Sequence, residues 1–117
     1  MTLFPEMVSR ALEFSIMARA RDAGIAEVGV VNPRGWAADR HRIVDDAPYG
    51  GGPGMVLKPE PLVACIEQLT GGDPGVPVVL MTPQGEPFSQ RSAERLAGCE
   101  HLMLICGHYE GVDERVA

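Results

Sequence analysis

The sequence predicts an α/β protein in which a parallel sheet is flanked by helices. Two apolar runs of strand length, Val76–Met81 and His101–Cys106, are separated by a segment with helical features. Strands that alternate with helices are typical of parallel sheets, and nearly continuous apolar strands are typical of sheets covered on both faces. With 117 residues and 45% hydrophobic content, the chain has the size and composition of a single globular domain.

The first residues are predicted to form a strand end, a long helix and a short strand. Thr2–Phe4 resembles the end of a strand, and Pro5 suits a first helical turn. The spacing predicts a helix over Glu6–Ala23 that stops at Gly24, followed by a β-rich strand over Ala26–Val31. The helix would place on its inward face Met7, Ala11, Phe14 and Ala18.

Two further helices are predicted beyond residues 36–58, which show little regular pattern. A helix over Glu60–Leu69 has Pro61 near its first turn. A second helix begins at the capping residue Ser89 and ends near Ala97, before a glycine, and Asp113 suits the cap of one more helix. The residues expected to face inward from the first of these helices are Leu62, Ile66 and Leu69.

The segment Asp45–Met55, which we call the glycine loop, has the most unusual composition. Residues 48–55 include four glycines and two prolines, so they cannot form a regular helix or strand. An ordinary surface turn is one interpretation. Bare backbone that approaches a ligand closely is the other, and the ordered mixture of carboxylates, a phenol and consecutive glycines favours it.

Charge and cysteine usage limit the classes of function. The net charge of −6 gives no support to nucleic-acid binding by bulk electrostatics, and we interpret the local basic segment as a solvated connection. The three cysteines fit reduced thiols of a cytoplasmic protein, with Cys106 expected to be buried. A zinc site of Cys106, His101 and His108 has only weak support from spacing. The basic segment comprises Arg34, Arg40, His41 and Arg42.

Both predicted core strands end in loops that could bind a ligand. Thr82–Gly85 follows the first strand and Gly107–Gly111 follows the second. In open parallel sheets, ligands bind at the carboxyl ends of the strands, where loops and helix N-termini converge. Each loop taken alone is equally compatible with a simple turn.

These segments, taken in order, resemble those of the bacterial tRNA (guanine-N(1)-)-methyltransferases, a family of SPOUT-class enzymes with a trefoil knot. The resemblance covers almost the whole chain, and the glycine loop and the last motif are highly specific to the family. The motifs that establish it are Thr2–Met7, Asn32-Pro33-Arg34, the glycine loop, Thr82–Gly85 and Ile105–Arg115.

The resemblance implies transfer of a methyl group from S-adenosylmethionine to N1 of the guanosine that follows the anticodon of tRNA. It also implies a homodimer with the active site between subunits, and an α/β-knot domain of which residues 1–117 are the N-terminal part. No membrane partner is implied. The residues expected to bind the cofactor are Leu80, Met81, Thr82, Pro83, Gly107, Tyr109 and Glu110.

The resemblance likewise places the glycine loop on the target-base side of the site. The aspartate base of the family and its assisting arginine correspond to positions beyond Ala117, so no catalytic residue is expected within this chain. No metal ligand is predicted, and a role for magnesium is left open. The residues expected to bind the substrate are Asp46, Tyr49, Gly52, Pro53, Gly54 and Glu110.

Two departures and two alternative hypotheses accompany this interpretation. Ala47 and His108 occupy positions where the family usually has arginine, which removes fixed positive charge near an anionic substrate. We expect the chain to be an N-terminal fragment that is inactive alone. The alternatives are a non-catalytic truncated paralogue that dimerises or binds RNA, and a generic nucleotide-binding α/β domain.

Overall fold

The computed structural model describes residues 1–116. None of the helices in this range is both long and apolar enough to cross a membrane. Short 3-10 helices cover Pro33–Trp36 and Glu114–Val116. The remaining elements, in chain order, are α1 (Pro5–Ala11), α2 (Ser15–Asp22), β1 (Asp45–Asp46), β2 (Val56–Leu57), α3 (Pro59–Thr70), β3 (Val78–Met81), α4 (Gln90–Ala97) and β4 (Met103–Cys106).

Strands β3 and β4 form the predicted parallel pair. Their register places Val78 opposite Met103 and Met81 opposite Cys106, and α4 lies in the connection between them. The α/β class with a parallel sheet is therefore confirmed. Each strand begins two residues later than predicted.

The prediction that both faces of these strands are covered is wrong for the described residues. Met103 and Ile105 are buried on one face of β4, whereas Leu104 is 44% exposed and Cys106 is also exposed. On β3, Met81 is 52% exposed. An apolar run of strand length does not show whether a second layer is present, because apolar residues on both faces are compatible with either arrangement.

The N-terminal residues lie beside β4 without forming a regular strand. The Cys106 N–H donates to the carbonyl of Met1 at 3.0 Å, and the amino group of Met1 donates to the carbonyl of Leu104 at 2.7 Å. Thr2 N–H in turn donates to the Val31 carbonyl at 2.9 Å. The strand predicted over Ala26–Val31 is absent, since no regular ladder includes this segment.

The long first helix is replaced by two short ones. Ser15 has a φ of 57°, a left-handed conformation that a continuing right-handed helix cannot include. The prediction of an inward apolar face is also wrong, since Met7 and Phe14 are each 67% exposed and neither α1 nor α2 buries a residue. The spacing of apolar residues gives the helical period, but the described residues provide no layer to cover the stripe.

The core lies around α3. Leu3, Val44, Leu57 and Leu62 form a single buried cluster. Helix α3 has prolines in its first turn and ends at Gly71 with a φ of 65°, so its prediction over residues 60–69 is confirmed to within one residue at each end. The buried thiol of Cys65 also belongs to this helix.

Two predictions about buried side chains need correction. Leu69 is 41% exposed rather than inward-facing, and the buried cysteine is Cys65, not Cys106. Burial raises the pKa of the Cys65 thiol above its ordinary value, because the thiolate is poorly solvated there. Cys65 lies three residues beyond Leu62 and therefore shares its face of the helix.

Residues 36–58 are largely irregular, as predicted, except for a short antiparallel ladder. Strands β1 and β2 pair Asp45 with Leu57 and Asp46 with Val56. This ladder closes the base of the glycine loop, which the sequence pattern did not indicate. The loop is therefore held at both ends by backbone hydrogen bonds, and its tip projects from a fixed base.

Candidate functional site

A cavity of about 1040 Å³ lies at the carboxyl ends of β3 and β4. The loops that follow the two strands form most of its wall, and Pro48 and Tyr49 of the glycine loop complete it. All seven residues predicted to bind a cofactor line this cavity, namely Leu80, Met81, Thr82, Pro83, Gly107, Tyr109 and Glu110. The structure thus brings the set together at the sheet edge where parallel folds bind ligands.

The residues predicted to bind the substrate are brought together only in part. Tyr49 and Glu110 line the cavity, with Tyr49 90% exposed. Asp46 lies in β1 outside the wall, and its carboxylate accepts a hydrogen bond from the Ala47 N–H at 2.8 Å. Gly52 and Pro53 are exposed residues of the loop tip and do not line the cavity.

Backbone hydrogen bonds join the glycine loop to the loop after β4. Glu110 N–H donates to the Met55 carbonyl at 3.0 Å, and Leu57 N–H donates to the Gly111 carbonyl at 2.9 Å. Asp113 N–H then donates to the Leu57 carbonyl at 3.0 Å. Residues some 55 positions apart are thereby held in fixed register, so the two loops share one frame.

Gly54 is the point of closest approach between these loops. It has a φ of 97°, and a Cβ atom built on it would overlap the side chain of Glu110. Any side chain at this position would be strained by its backbone conformation and would also displace Glu110. The glycine at this position therefore lets the carboxylate lie directly against bare backbone.

The loop after β3 is a tight turn. Gly85 N–H donates to the Thr82 carbonyl at 3.1 Å, and Gln84 N–H donates to the Thr82 hydroxyl at 3.3 Å. A Cβ on Gly85 would lie 3.3 Å from the Thr82 carbonyl oxygen, which is a tight contact. The turn thus presents mostly backbone and uncharged groups to the cavity.

An ion pair and a cation–π contact connect the segment after β4 to the glycine loop. The Arg115 guanidinium lies 4.9 Å from the ring centroid of Tyr49 and donates to the Asp113 carboxylate at 2.9 and 3.0 Å. These hydrogen bonds lower the pKa of Asp113 and raise that of Arg115. Neither charged residue was among the predicted site residues.

Aromatic rings and a second arginine surround Tyr109. The His108 ring lies 5.3 Å from the Tyr109 ring and 5.0 Å from that of Phe4, both in edge-to-face geometry. Arg34 donates to the Tyr109 hydroxyl at 3.3 Å across 75 positions of sequence. Motif recognition singled out Arg34 and Arg115, but sequence spacing could not place either beside the cavity.

Other candidate sites have less support. No group of three or more His, Cys, Asp or Glu side chains suited to a metal ion occurs among residues 1–116, so the proposed zinc set of Cys106, His101 and His108 is not assembled. A second cavity of about 640 Å³ lies between the helix turn at Leu12 and the segment Gly24–Val28. It contains none of the residues predicted to bind cofactor or substrate.

The fold and site define a parallel α/β protein whose ligand cavity is built from strand-end loops and a glycine-rich loop. Residues 1–117 match the family model described as tRNA (Guanine-1)-methyltransferase TrmD. The chain belongs to this family, and the prediction made from its motifs is confirmed.

Curated relatives and a solved structure agree with the family assignment. A tRNA (guanine-N(1)-)-methyltransferase of Moorella thermoacetica is 57% identical over 99% of this chain and 47% of its own length. One from Chloroflexus aggregans is 56% identical, with 99% and 46% covered. The tRNA (m1G37) methyltransferase crystal structure from Aquifex aeolicus has a TM-score of 0.87 at 40% identity, with 98% and 52% covered. The chain therefore spans about half the length of these relatives.

Proposed function

We propose that residues 1–117 are the N-terminal part of an S-adenosylmethionine-binding SPOUT domain. The whole protein would methylate N1 of the guanosine that follows the anticodon in tRNA. The observation that supports this most directly is the single cavity lined by all seven residues predicted to bind the cofactor. The relatives named for the same reaction also support it.

The cavity has a size and chemistry that fit the cofactor. Its volume of about 1040 Å³ is at the upper end of the range for small-molecule sites, which leaves room for a cofactor and a base together. Backbone groups at Thr82 and Gly107 can satisfy a purine edge and a ribose, and Tyr109 offers a flat apolar face with a polar tip. S-adenosylmethionine, when bound, supplies a methyl group already activated on a sulfonium.

The chain's own residues would contribute mainly by positioning. Glu110 is an acceptor for guanine N–H groups, and its side chain is held against Gly54, so its placement depends on the glycine loop. Fixed orientation of two reactants accounts for a large part of catalysis in a transfer of this kind. Tyr49 also lines the cavity, and its exposed ring is suited to contact a base.

Guanine N1 is protonated at neutral pH, so a general base must accept its proton during the transfer. We assign no such base within this chain. Asp46 lies outside the cavity wall, and the family resemblance places the aspartate and its assisting arginine at positions beyond Ala117. The same resemblance leads us to propose a cytoplasmic homodimer that binds tRNA, and a trefoil knot completed by later residues.

A methylation assay tests the proposal. Two proteins would be compared with S-adenosylmethionine as donor: the 117-residue chain and a protein that continues its reading frame past Ala117. The substrates would be a tRNA transcript with guanosine after the anticodon and a control with adenosine there. We expect 1-methylguanosine only with the longer protein and the guanosine transcript.

Each other outcome has a defined meaning. Methylation by the 117-residue chain alone would disprove the proposal that the catalytic base lies beyond it. A longer protein that binds S-adenosylhomocysteine but never methylates would contradict the enzymatic function. A stop codon directly after Ala117 would favour the non-catalytic paralogue that dimerises or binds RNA.

A further inference from the structure

The motif Asn32-Pro33-Arg34 has a defined structure that the proposed function does not use. The Asn32 carboxamide oxygen accepts from the Arg34 N–H at 3.0 Å, and its nitrogen donates to the Leu3 carbonyl at 3.2 Å. Pro33 is fully buried at the start of a 3-10 helix. The backbone of Arg34 is therefore fixed to the N-terminal segment and to the core.

The Arg34 guanidinium forms a bridge between two distant segments. One terminal nitrogen donates to the Arg42 carbonyl at 3.0 Å, and the other donates to the Tyr109 hydroxyl at 3.3 Å. The Arg42 carbonyl is itself held in place, because the Asp39 carboxylate accepts the N–H groups of His41 and Ile43 at 2.9 and 3.0 Å. Arg34 therefore has a rigid anchor on one side and the phenol on the other.

Tyr109 needs such an anchor. Its φ of 60° is a left-handed conformation that a bulky residue rarely adopts, and the residue is 41% exposed at the cavity wall. A strained residue of this kind persists only where surrounding contacts fix it. The Glu110 N–H bond to the Met55 carbonyl restrains the backbone beside it, and the side chain contacts the edge-to-face His108 ring and the Arg34 guanidinium.

We propose that Arg34 is a positioning residue, which fixes the Tyr109 ring at the cavity wall by bridging its hydroxyl to the carbonyl of Arg42. Arg34 is not part of the wall itself, so it acts through Tyr109 rather than on the ligand. The role requires the planar fork of guanidinium, whose separated nitrogens reach two acceptors at once. A lysine keeps the charge but offers a single point donor.

The direct test follows the Tyr109 ring by NMR, with ring-labelled tyrosine, in Arg34→Lys and Arg34→Ala proteins. We expect both variants to shift and broaden the Tyr109 ring resonances while Tyr49 changes little. Arg40→Ala is the matched control, since it removes an exposed arginine of the same segment for which the structure records no hydrogen bond. Unchanged Tyr109 resonances in a folded Arg34→Lys protein would overturn the proposal.

A double-mutant cycle with Tyr109→Phe, measured in the protein that continues past Ala117, tests the consequence for binding and rests on the proposed function. We expect Arg34→Lys and Tyr109→Phe each to weaken S-adenosylhomocysteine binding about 2- to 10-fold, the range for loss of one hydrogen bond. The double variant should be no weaker than either single one, because both remove the same contact. Fully additive losses would overturn the positioning role.

The two readouts separate this inference from the function on which it rests. Shifted Tyr109 resonances without any S-adenosylhomocysteine binding by the protein that continues past Ala117 would keep the positioning role and disprove the proposed cofactor. If the longer protein binds S-adenosylhomocysteine but the Tyr109 resonances are unaffected in Arg34→Lys, the proposed cofactor stands and the positioning role is overturned. A melting-temperature measurement on each variant shows that the protein is folded during both experiments.

Discussion

Helix α3 buries four of its residues and has no side-chain cap at its N-terminus, whereas α4 buries none and begins at a capping serine. The side chain of Lys58, which precedes α3, makes no capping hydrogen bond, while Ser89 accepts from the Ser92 N–H at 3.2 Å. Helix α3 is thus held by packing, and α4 by local hydrogen bonding. Most helices in proteins depend on packing of an apolar face, and of these two helices only α3 follows that rule.

The same contrast divides the molecule. Around α3 the apolar side chains of Leu3, Val44, Leu57 and Leu62 enclose one another. Helices α1, α2 and α4 bury no residue, and one face of the parallel pair exposes Leu104 and Met81. We therefore expect substitutions near α3 to change global stability, and substitutions elsewhere to change local structure or binding.

The largest expected effect is on the α3 core. Leu62→Ala should lower the free energy of unfolding by roughly 2–5 kcal/mol, because a fully buried leucine is replaced by a cavity. Leu69→Ala is the matched control in the same helix; its side chain is 41% exposed, and a change within about 0.5 kcal/mol is expected. Urea denaturation measures both, and equal losses would contradict the comparison.

The next largest effect is expected at the contact between the glycine loop and the loop after β4. Gly54→Ala and Gly51→Ala both place a side chain at positive φ, which should cost roughly 1–2 kcal/mol in each. Gly54→Ala adds a clash with Glu110, whereas the space around Gly51 is open. Gly54→Ala should therefore be the more destabilising variant, and it should also weaken S-adenosylhomocysteine binding. Equal effects in thermal unfolding and calorimetric titration would show that the approach of the loops is unimportant.

A smaller effect is expected at the start of α4. Ser89→Ala removes the capping oxygen and should cost about 1 kcal/mol of helix stability, seen as faster amide exchange over Gln90–Ala97. Lys58→Ala changes the equivalent position of α3, where no side-chain cap exists, and should have almost no effect. A larger change from Lys58→Ala than from Ser89→Ala would reverse the contrast between the helices.

The smallest expected effect concerns the ion pair between Arg115 and Asp113. Arg115 lowers the pKa of Asp113 below its ordinary value of 3.8, so the pair stabilises the folded protein above that pH. The contribution is lost as the pH falls through the lowered pKa, because the carboxylate becomes protonated. In Arg115→Gln the Asp113 carboxyl should titrate at a higher pH, measured by carboxyl carbon chemical shifts. Arg91→Gln, an exposed arginine of α4, should leave that titration unchanged.

The elements that the sequence predicted well are those determined by local chemistry. Local signals act within a few residues: the prolines in the first turn of α3, the serine at the start of α4 and the apolar runs of β3 and β4. Each of these elements lies within two residues of its predicted bounds. The shared location of the two strand-end loops could be predicted because the two strands were expected to be parallel. Their residues line one cavity because the carboxyl ends of neighbouring parallel strands share an edge.

The features that the sequence did not predict depend on distant residues or on an unusual dihedral angle. The break before α2 follows from the left-handed Ser15, at a position where the apolar period continues. Exposure of Phe14 depends on which layers surround the helix, not on its pattern. The contact of Arg34 with Tyr109 joins positions 75 residues apart, and no local spacing encodes it.

Three backbone hydrogen bonds join the glycine loop and β2 to the loop after β4 and make them one mechanical unit. They run from Glu110 to Met55, from Leu57 to Gly111 and from Asp113 to Leu57. An occupant that touches the loop after β4 must therefore also restrain the glycine loop. A contact made on either loop would then influence the other loop, even where the two contacts share no atom. Three backbone amides are the structural basis of that coupling.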